Sequence, residues 1–444
     1  MVDELDTVPE YDRFATVDEV HQSLAGLARH HPDTASLRRI GTSRLGDPLL
    51  CLTVGDAPRQ AIVAAGPHPN EPIGGLSVTH LATRLCTDAG LRRSTGYTWH
   101  IVGCLDPDGT RLNEGWFAGP FTKTHYGRHF YRPPGHEQVE WTFPFAYKRA
   151  YFDRVLPETL ALMRLIDDTR PDFFTTLHNG EAGGVFYYLN RAEPELHAVL
   201  KALPARYGVP LHAGEPEHPS VRRLEQAVFL SPSMVDAYDY FESLGQDPTE
   251  HIAGAASDSY IRKYGTLGLT AELPYWTDDT ADDTTPTGTR YRDLIADQAV
   301  LMRDAYSLLD ETLSAVTADL VTDSPFLRAS RSFIPMLERM AVTEENRAGA
   351  PENGRPATVA EVASCRDNLN SMRLRFGGML LRTLEGELAV GNRTPEIRAR
   401  SRELAAAYAK WCEEAESVGS DRTIPIRHLV AIQYGAILAG AAHA

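Results

Sequence analysis

The sequence contains few cysteines and no excess of positive charge. Five Cys occur among 444 residues, an odd number without a CxxC spacing, which argues against a disulfide framework and a cysteine-based zinc site. We interpret them as buried thiols: Cys51, Cys86, Cys104, Cys365 and Cys412. The formal net charge of −16 argues against a general nucleic-acid binder, because a phosphate backbone attracts clustered Lys and Arg.

Long apolar runs are also missing. The opening residues "MVDELDTVPEYDRFA" are acidic and lack the apolar centre of a secretory signal. No apolar run approaches the roughly 20 residues that a helix needs to cross a bilayer. We therefore predict a cytoplasmic protein with no membrane segment and no nucleic-acid partner.

Strand and helix patterns alternate over most of the chain. "QAIVAAG" is a continuous apolar run typical of a strand buried on both faces of a mainly parallel sheet. "PIGGLSVTHLATRL" has helical spacing, and "TWHIVGCL" is the next strand. "DFFTTLH", "GVFYYLN", "GLTAEL" and a long amphipathic helix around 291–319 continue this order, which predicts an α/β fold.

The chain changes character after about residue 322. Residues 325–444 have helical periodicity and almost no strand signal, apart from a predicted loop at "TEENRAGAPENGRPAT" (343–358). We predict an α/β domain over 1–322 and a helical segment over 323–444. The helical segment could form a homo-oligomer, shape the entrance of a site or bind another protein.

His68 and Glu71 lie in "HPNE", between an apolar strand and a predicted helix. Open α/β sheets usually bind ligands at this edge. An imidazole nitrogen and a carboxylate oxygen suit Zn²⁺, and a catalytic zinc site takes three protein ligands with a fourth position open. An HxxE pair also occurs by chance in a capped loop, so the interpretation requires a third ligand.

The best third ligand is His178, which ends the strand "DFFTTLH". His212 and His218 are alternatives, but they lie in a Pro-rich segment. Glu272 ends a further strand in apolar surroundings, where desolvation raises a carboxyl pKa and favours a general base beside a metal. A glutamate at a strand end can also be one half of a salt bridge.

The motifs "HPNE", "DPDG" (106–109), "TTLH" and "LTAEL" follow one another in this order. Together they resemble the zinc carboxypeptidases of the carboxypeptidase A type, over roughly residues 10–315. The resemblance implies a mixed, mainly parallel central sheet flanked by helices. It also implies one Zn²⁺ per chain held by His68, Glu71 and His178, with Glu272 as the base that activates water.

The resemblance implies further residues around the substrate. Arg111, in "PDGTRLN", stands where the family carries an arginine that stabilises an oxyanion. Arg128, in "HYGRHFYRP", is the best match for the arginine that holds the substrate carboxylate, although Gly127 replaces the usual Asn. In a competing register Glu114 takes this place and would repel a free C-terminus.

Tyr260 and Tyr264 precede the predicted base, where family members carry a tyrosine on a mobile loop. We favour Tyr260 as a substrate-binding residue. A packing role for both tyrosines is an equal alternative.

The sequence therefore predicts a zinc hydrolase that cleaves a peptide or amide bond, most simply a metallocarboxypeptidase acting on a small peptide or biosynthetic intermediate. An alternative is deacylation of an N-acyl amino acid, because "HPNE" with a later His also resembles the aspartoacylase and desuccinylase group. A third hypothesis is a non-catalytic peptide-binding module. The enzyme is favoured because all three candidate ligands and Glu272 are present.

Overall fold

The computed structural model describes residues 2–218, 220–417 and 421–444. The strands in these ranges are β1 (Ala35–Thr42), β2 (Pro48–Val54), β3 (Arg59–Ala65), β4 (Tyr97–Val102), β5 (Phe145–Tyr147), β6 (Ala150–Phe152), β7 (Phe173–Leu177), β8 (Phe186–Leu189), β9 (Arg223–Glu225), β10 (Val228–Leu230), β11 (Leu267–Glu272), β12 (Trp276–Thr277), β13 (Pro286–Arg290), β14 (Pro356–Thr358) and β15 (Arg422–Thr423). The α-helices there are α1 (Val2–Leu5), α2 (Val17–His30), α3 (Ile73–Thr87), α4 (Ala89–Thr95), α5 (Pro107–Arg111), α6 (Lys123–His129), α7 (Pro157–Thr169), α8 (Pro194–Ala205), α9 (Met234–Ser243), α10 (Ser257–Ile261), α11 (Tyr291–Val316), α12 (Pro325–Ala348), α13 (Val359–Ala389), α14 (Pro395–Ser417) and α15 (Ile426–His443).

A mixed nine-stranded sheet forms the centre of the described part of the chain, in the order β1-β2-β4-β3-β7-β11-β8-β10-β9. Its middle strands β4, β3, β7 and β11 run parallel to one another. Antiparallel strands flank this parallel centre on both sides. The carboxyl ends of β3, β7 and β11 therefore meet at one edge of the sheet.

Strand β3 is buried on both faces, as its continuous apolar run predicts. Ala61, Val63 and Ala65 belong to the core on the side of α3, whereas Ile62 and Ala64 belong to the core that contains α7. Helix α3 packs closely on β3, because a Cβ at Gly74 would lie 2.9 Å from the Cβ of Ala65. This close contact fixes the short loop between β3 and α3.

The helices after residue 322 contact both each other and the α/β part. Helices α11, α12, α13 and α14 pack together, and α13 also packs on α6. Helix α15 contacts α3, α8, β7 and β11. The Tyr97 hydroxyl donates a 2.9 Å hydrogen bond to the Ala441 carbonyl, which ties α15 to β4. One part of the helical segment thus covers a face of the central sheet.

All five cysteines are free thiols; Cys412 is partly buried and the other four are buried. Among the described residues, no helix combines the length and the apolar character that crossing a membrane requires.

Candidate active site

The candidate site lies at the edge where three parallel strands end. His68 follows β3, His178 follows β7, and Glu272 is the last residue of β11. His178 and Glu272 also form an isolated parallel bridge, which extends the pairing of their strands. Sheet order therefore brings together residues that are far apart in the sequence.

His68, Glu71 and His178 can each offer a ligand atom within 4.8 Å of the others. The His178 Nδ1 atom lies 3.1 Å from Glu71 Oε2, and the two imidazole rings are 5.0 Å apart between centroids. The three side chains are buried, with 4–6% of each residue exposed. We call these three residues the trio.

The donor atoms of the trio fit a divalent metal such as Zn²⁺. The Nδ1 atom of His68 is buried and has no hydrogen-bond partner among the described residues. Burial lowers the pKa of His68 well below its usual value, and the charges of Arg132 and His178 add to this effect. A neutral imidazole presents a lone pair, and two imidazoles with one carboxylate form a common catalytic zinc set.

Neighbouring groups orient the His178 ring. Its Nε2 atom lies 3.0 Å from the Thr176 hydroxyl, which leaves Nδ1 directed toward Glu71. The backbone carbonyl of His178 accepts a 3.1 Å hydrogen bond from Gln433 Nε2 on α15. The contact with Thr176 is of the kind that fixes the ring of a metal-binding histidine, and the bond from Gln433 holds its backbone.

Glu272 lies next to the trio, with its Oε1 atom 3.7 Å from His178 Nδ1. Burial raises the pKa of Glu272 well above its usual value, and the carboxylates of Glu217 and Glu71 raise it further. A cation held by the trio would oppose both effects and favour the ionised form. The position therefore suits a carboxylate that accepts and returns a proton.

A cavity of about 150 Å³ opens beside the trio. Asn70, Glu71, Asn179 and Arg132 line it, and so do residues from one face of α13. The loop that contains Glu215 and Glu217 also contributes to the lining. A substrate in this cavity would contact residues from both predicted parts of the chain.

Arg132 is a functional candidate that the sequence interpretation missed. It lines the cavity, and its Nη1 atom donates to Glu71 Oε1 over 3.4 Å. Its Nε atom donates to Gln138 Oε1 at 3.0 Å, which fixes the guanidinium plane. The available signal was the Arg-rich stretch "HYGRHFYRPP", from which the resemblance selected Arg128.

The structure does not bring Arg111 to the trio. Its Nε atom donates to Asp47 Oδ2 at 2.8 Å, and its Nη2 atom donates to Asp18 Oδ1 at 2.7 Å. It is not among the described residues that line the cavity. Two carboxylates, from the β1–β2 turn and from α2, hold this guanidinium instead.

Arg128 is also held elsewhere, in an ion pair with Glu385 on α13 at 2.5 Å. Glu114, the residue of the competing register, accepts a 2.9 Å hydrogen bond from the backbone N–H of Val17 at the start of α2. Neither side chain belongs to the described lining of the cavity. Both stabilise contacts between elements.

Tyr260 and Tyr264 both donate hydrogen bonds to Asp167, at 2.7 and 2.8 Å. Lys263 lies over the Tyr260 ring and also bonds to Asp167. Neither tyrosine is found in the described cavity lining, so their contacts agree with the packing alternative.

Of the alternative ligands, His212 lines the cavity, but it does not belong to the trio. Its Nε2 atom lies 2.8 Å from the Glu215 carbonyl. His218 pairs with the Ser220 hydroxyl. Both histidines therefore hold the loop that borders the cavity.

Three buried candidate ligands converge at the carboxyl ends of the parallel strands, next to the Glu272 carboxylate, and Glu71 of the trio also lines the cavity. Residues 20–213 match the family model Peptidase_M14, zinc carboxypeptidase. Residues 20–213, somewhat less than half of the chain, are thus similar to a zinc carboxypeptidase, and the chain is a zinc metallocarboxypeptidase-type hydrolase. The matched residues include the trio but end before Glu272.

The solved structures that the chain matches include three proteins of low sequence identity. Metallo-carboxypeptidase from Burkholderia cenocepacia is 19% identical, with 57% of this chain and 59% of that chain covered and a TM-score of 0.38. Carboxypeptidase A from Helicoverpa armigera is 14% identical, with coverages of 76% and 74% and a TM-score of 0.39. Bovine thrombin-activatable fibrinolysis inhibitor, in complex with tick carboxypeptidase inhibitor, is 14% identical, with coverages of 59% and 86% and a TM-score of 0.39. No curated protein shows significant sequence similarity to the chain.

Proposed function

We propose that this protein is a metallocarboxypeptidase that hydrolyses a peptide bond in a small peptide or biosynthetic intermediate. His68, Glu71 and His178 would hold Zn²⁺, and Glu272 would be the general base. The observation that carries the proposal is the position of Glu272, because its Oε1 atom lies 3.7 Å from His178 Nδ1 in a trio whose Glu71 lines the cavity.

Zn²⁺ bound by the trio supplies a Lewis acid that polarises the carbonyl of a bound substrate and favours ionisation of water. Glu272 accepts a proton as water adds its hydroxyl to the carbonyl carbon. The same carboxyl group then donates that proton to the amine nitrogen as the carbon–nitrogen bond breaks. Its burial keeps competing water away from this proton.

Arg132 is the proposed oxyanion stabiliser, in place of Arg111. Its guanidinium lines the cavity next to Glu71 and is held in one plane by Gln138. An always-charged, oriented donor stabilises negative charge that develops on a carbonyl oxygen. Arg132→Ala should therefore lower kcat by on the order of 10²-fold with a smaller change in KM.

We assign different roles to the two parts of the chain. Residues 1–322 contain every proposed catalytic residue, and residues 323–444 contribute one wall of the cavity. The cytoplasmic location stays a prediction from the sequence.

The decisive experiment combines metal content and hydrolysis. Wild type, His178→Ala, Glu272→Gln and the control His136→Ala are purified without added zinc and examined by elemental mass spectrometry. Hydrolysis is measured with blocked dipeptides and, for the deacylase alternative, with N-acyl amino acids. His136 suits the control because it is exposed and lies outside the cavity lining.

We expect about one zinc per chain in wild type, Glu272→Gln and His136→Ala, and loss of zinc in His178→Ala. Glu272→Gln should lower kcat by on the order of 10³-fold without loss of metal. Full turnover in Glu272→Gln would refute the assigned base. Cleavage of N-acyl amino acids but not of peptides would replace the peptidase with the deacylase.

A further inference from the structure

The helical C-terminal segment supplies one face of the candidate substrate cavity. The lining residues of α13 recur every three or four positions, so they lie on one side of the helix. They are Ala360, Ala363, Ser364, Asp367, Asn368, Ser371 and Arg375. We call this face the α13 wall. Its first turns have small side chains, which leaves space between the wall and the trio.

Three contacts hold the α13 wall in place. Arg375 Nη1 donates to Glu181 Oε1 at 2.7 Å, and the Ser371 hydroxyl also bonds to the Glu181 carboxylate. Asp367 pairs with Lys123 of α6 at 3.3 Å. In contrast, Asn368 is exposed toward the cavity. The wall is therefore fixed while one of its polar side chains stays available to a ligand.

Carboxylates outnumber guanidinium groups along the described cavity lining. The carboxylates are Glu71, Glu181, Glu215, Glu217, Asp278 and Asp367. The guanidinium groups there are those of Arg132 and Arg375, and both already contact a lining carboxylate. Glu215, Asp278 and Asp367 pair with cations outside the lining, namely Arg347, Arg366 and Lys123. The remaining negative charge lies at Glu217, and an anionic ligand near it would be repelled.

Glu217 is the lining carboxylate best placed to receive a ligand. Glu215 is already held by Arg347 at 3.1 Å and by the Tyr291 hydroxyl at 2.7 Å. Within the described chain Glu217 forms no ion pair, and its Oε2 atom accepts a 3.0 Å hydrogen bond from the neutral Tyr188 hydroxyl. Glu217 is also close enough to Glu272 to raise its pKa.

Asn70 provides a second, independent acceptor. The Tyr126 hydroxyl donates its proton to Glu181 at 2.9 Å, so its oxygen must accept from Asn70 Nδ2 at 3.1 Å. This orientation leaves Asn70 Oδ1 without a partner among the described residues, although Asn70 is only 1% exposed and lines the cavity. A buried acceptor without a donor is costly unless a ligand or water satisfies it.

We infer that the cavity between the trio and the α13 wall selects substrates that carry a cationic nitrogen, an ammonium or guanidinium group. Glu217 pairs with the charge, Asn70 Oδ1 accepts an N–H of the substrate, and Asn368 contacts the same ligand from the wall. This inference rests on the proposed function, because it names the substrate class of that site. It assigns a specificity role to a segment outside the residues that match the family model.

Binding to the zinc-loaded Glu272→Gln variant tests the inference without relying on turnover. The probes are blocked dipeptides with lysine, norleucine or glutamate at the first or the second position, measured by isothermal titration calorimetry. Norleucine matches the apolar chain of lysine without its charge. We expect a lysine dipeptide to bind at least tenfold more tightly than its norleucine counterpart when the varied residue is at one of the two positions.

Adding Glu217→Gln should bring the affinity for the lysine dipeptide down to that of the norleucine dipeptide. Adding Asn368→Arg, which places a cation on the exposed side of the wall, should weaken lysine binding by a similar factor. Glu250→Gln, an exposed glutamate outside the cavity, is the matched control and should retain the lysine preference.

The inference is overturned if glutamate or norleucine dipeptides bind as tightly as lysine dipeptides, or if the lysine preference survives Glu217→Gln. Absence of binding by all dipeptides overturns it as well. These outcomes differ from failure of the proposed function, which would appear as absent zinc or as full activity without the Glu272 carboxylate. If the Glu272→Gln variant prefers lysine dipeptides but wild type does not cleave them, the site binds a cationic ligand and the protein is not a peptidase.

Discussion

Gln433 donates a hydrogen bond to the backbone carbonyl of His178 at 3.1 Å, across 255 residues of sequence. Gln433 is fully buried on α15, and His178 is one of the three candidate metal ligands. The helical segment therefore supports the site at two places. Helix α13 borders the cavity, and α15 fixes the end of β7 behind the trio.

Gln433→Leu should destabilise the protein by about 1–3 kcal/mol, because a buried carbonyl loses its donor. The same variant should bind zinc less tightly, since the His178 backbone is less constrained. Urea unfolding and competition with a metal chelator measure the two effects. Gln22→Leu, at an exposed position of α2, is the control and should change stability by no more than about 0.5 kcal/mol. Unchanged zinc affinity in Gln433→Leu would limit this contact to stability.

Because α13 packs on α6, replacing each of two α13 glycines with alanine should change the stability of the protein in opposite directions. A Cβ at Gly378 would lie 2.4 Å from the Gly127 carbonyl oxygen, so Gly378→Ala should cost about 1–3 kcal/mol of stability. A Cβ at the exposed Gly386 meets no described atom within 4 Å. Gly386→Ala should therefore stabilise the helix by about 0.5–1 kcal/mol. Denaturant midpoints test the pair, and a shift of the same sign in both would contradict the packing argument.

The buried carboxyl group of Asp106 should make the protein less stable as pH rises. Its Oδ1 atom accepts a hydrogen bond from the Gly109 N–H, whereas burial raises the pKa of Asp106 to about 7. The unfolded state ionises this carboxyl near its ordinary pKa of about 4. Between these values the folded state holds a proton that the unfolded state has released, so stability falls as pH rises from about 4 to 7.

Asp106→Asn keeps an acceptor for Gly109 and removes the titration. We expect wild type to lose on the order of a few kcal/mol relative to this variant between pH 4 and 7, with no further divergence above pH 7. Urea unfolding of both proteins across this range measures the difference. Parallel stability curves would show that Asp106 is ionised in the folded protein.

Metal removal should lower the unfolding temperature of wild type. A ligand that binds only the folded state stabilises it by about 3 kcal/mol when its free concentration is 100-fold above Kd. Thermal unfolding with and without a chelator should therefore differ for wild type. The same comparison should show no difference for His178→Ala. A chelator effect that persists in His178→Ala would indicate a metal site elsewhere.

The local sequence pattern was sufficient to predict the strands and the helix that form the edge of the sheet at the site. The continuous apolar runs that become β3 and β7 are confirmed, and so is the helical spacing of α3. Because parallel strands place their carboxyl ends together, the motifs that follow these strands could be assembled without coordinates. The structure brings His68, Glu71 and His178 together for this reason.

Residues whose position depends on distant partners could not be placed in this way. The carboxylates that hold Arg111 and Arg128, which include Asp47 and Glu385, lie far from them in the sequence. The predicted loop over 343–358 is wrong at its start, because α12 continues to Ala348. Arg347 in that stretch is fixed by Glu215 and Glu344, and such tertiary contacts override a polar composition.

The docking of α15 on β7 has a consequence for biosynthesis. On the ribosome, His178 is made 255 residues before Gln433, which at 5–20 residues per second is roughly 10–50 s. During that time the nascent chain already contains all three residues of the trio, but the sheet face under α15 is bare. We expect a chaperone to bind this exposed sheet face during synthesis. We expect the protein to become an active hydrolase only when α15 docks.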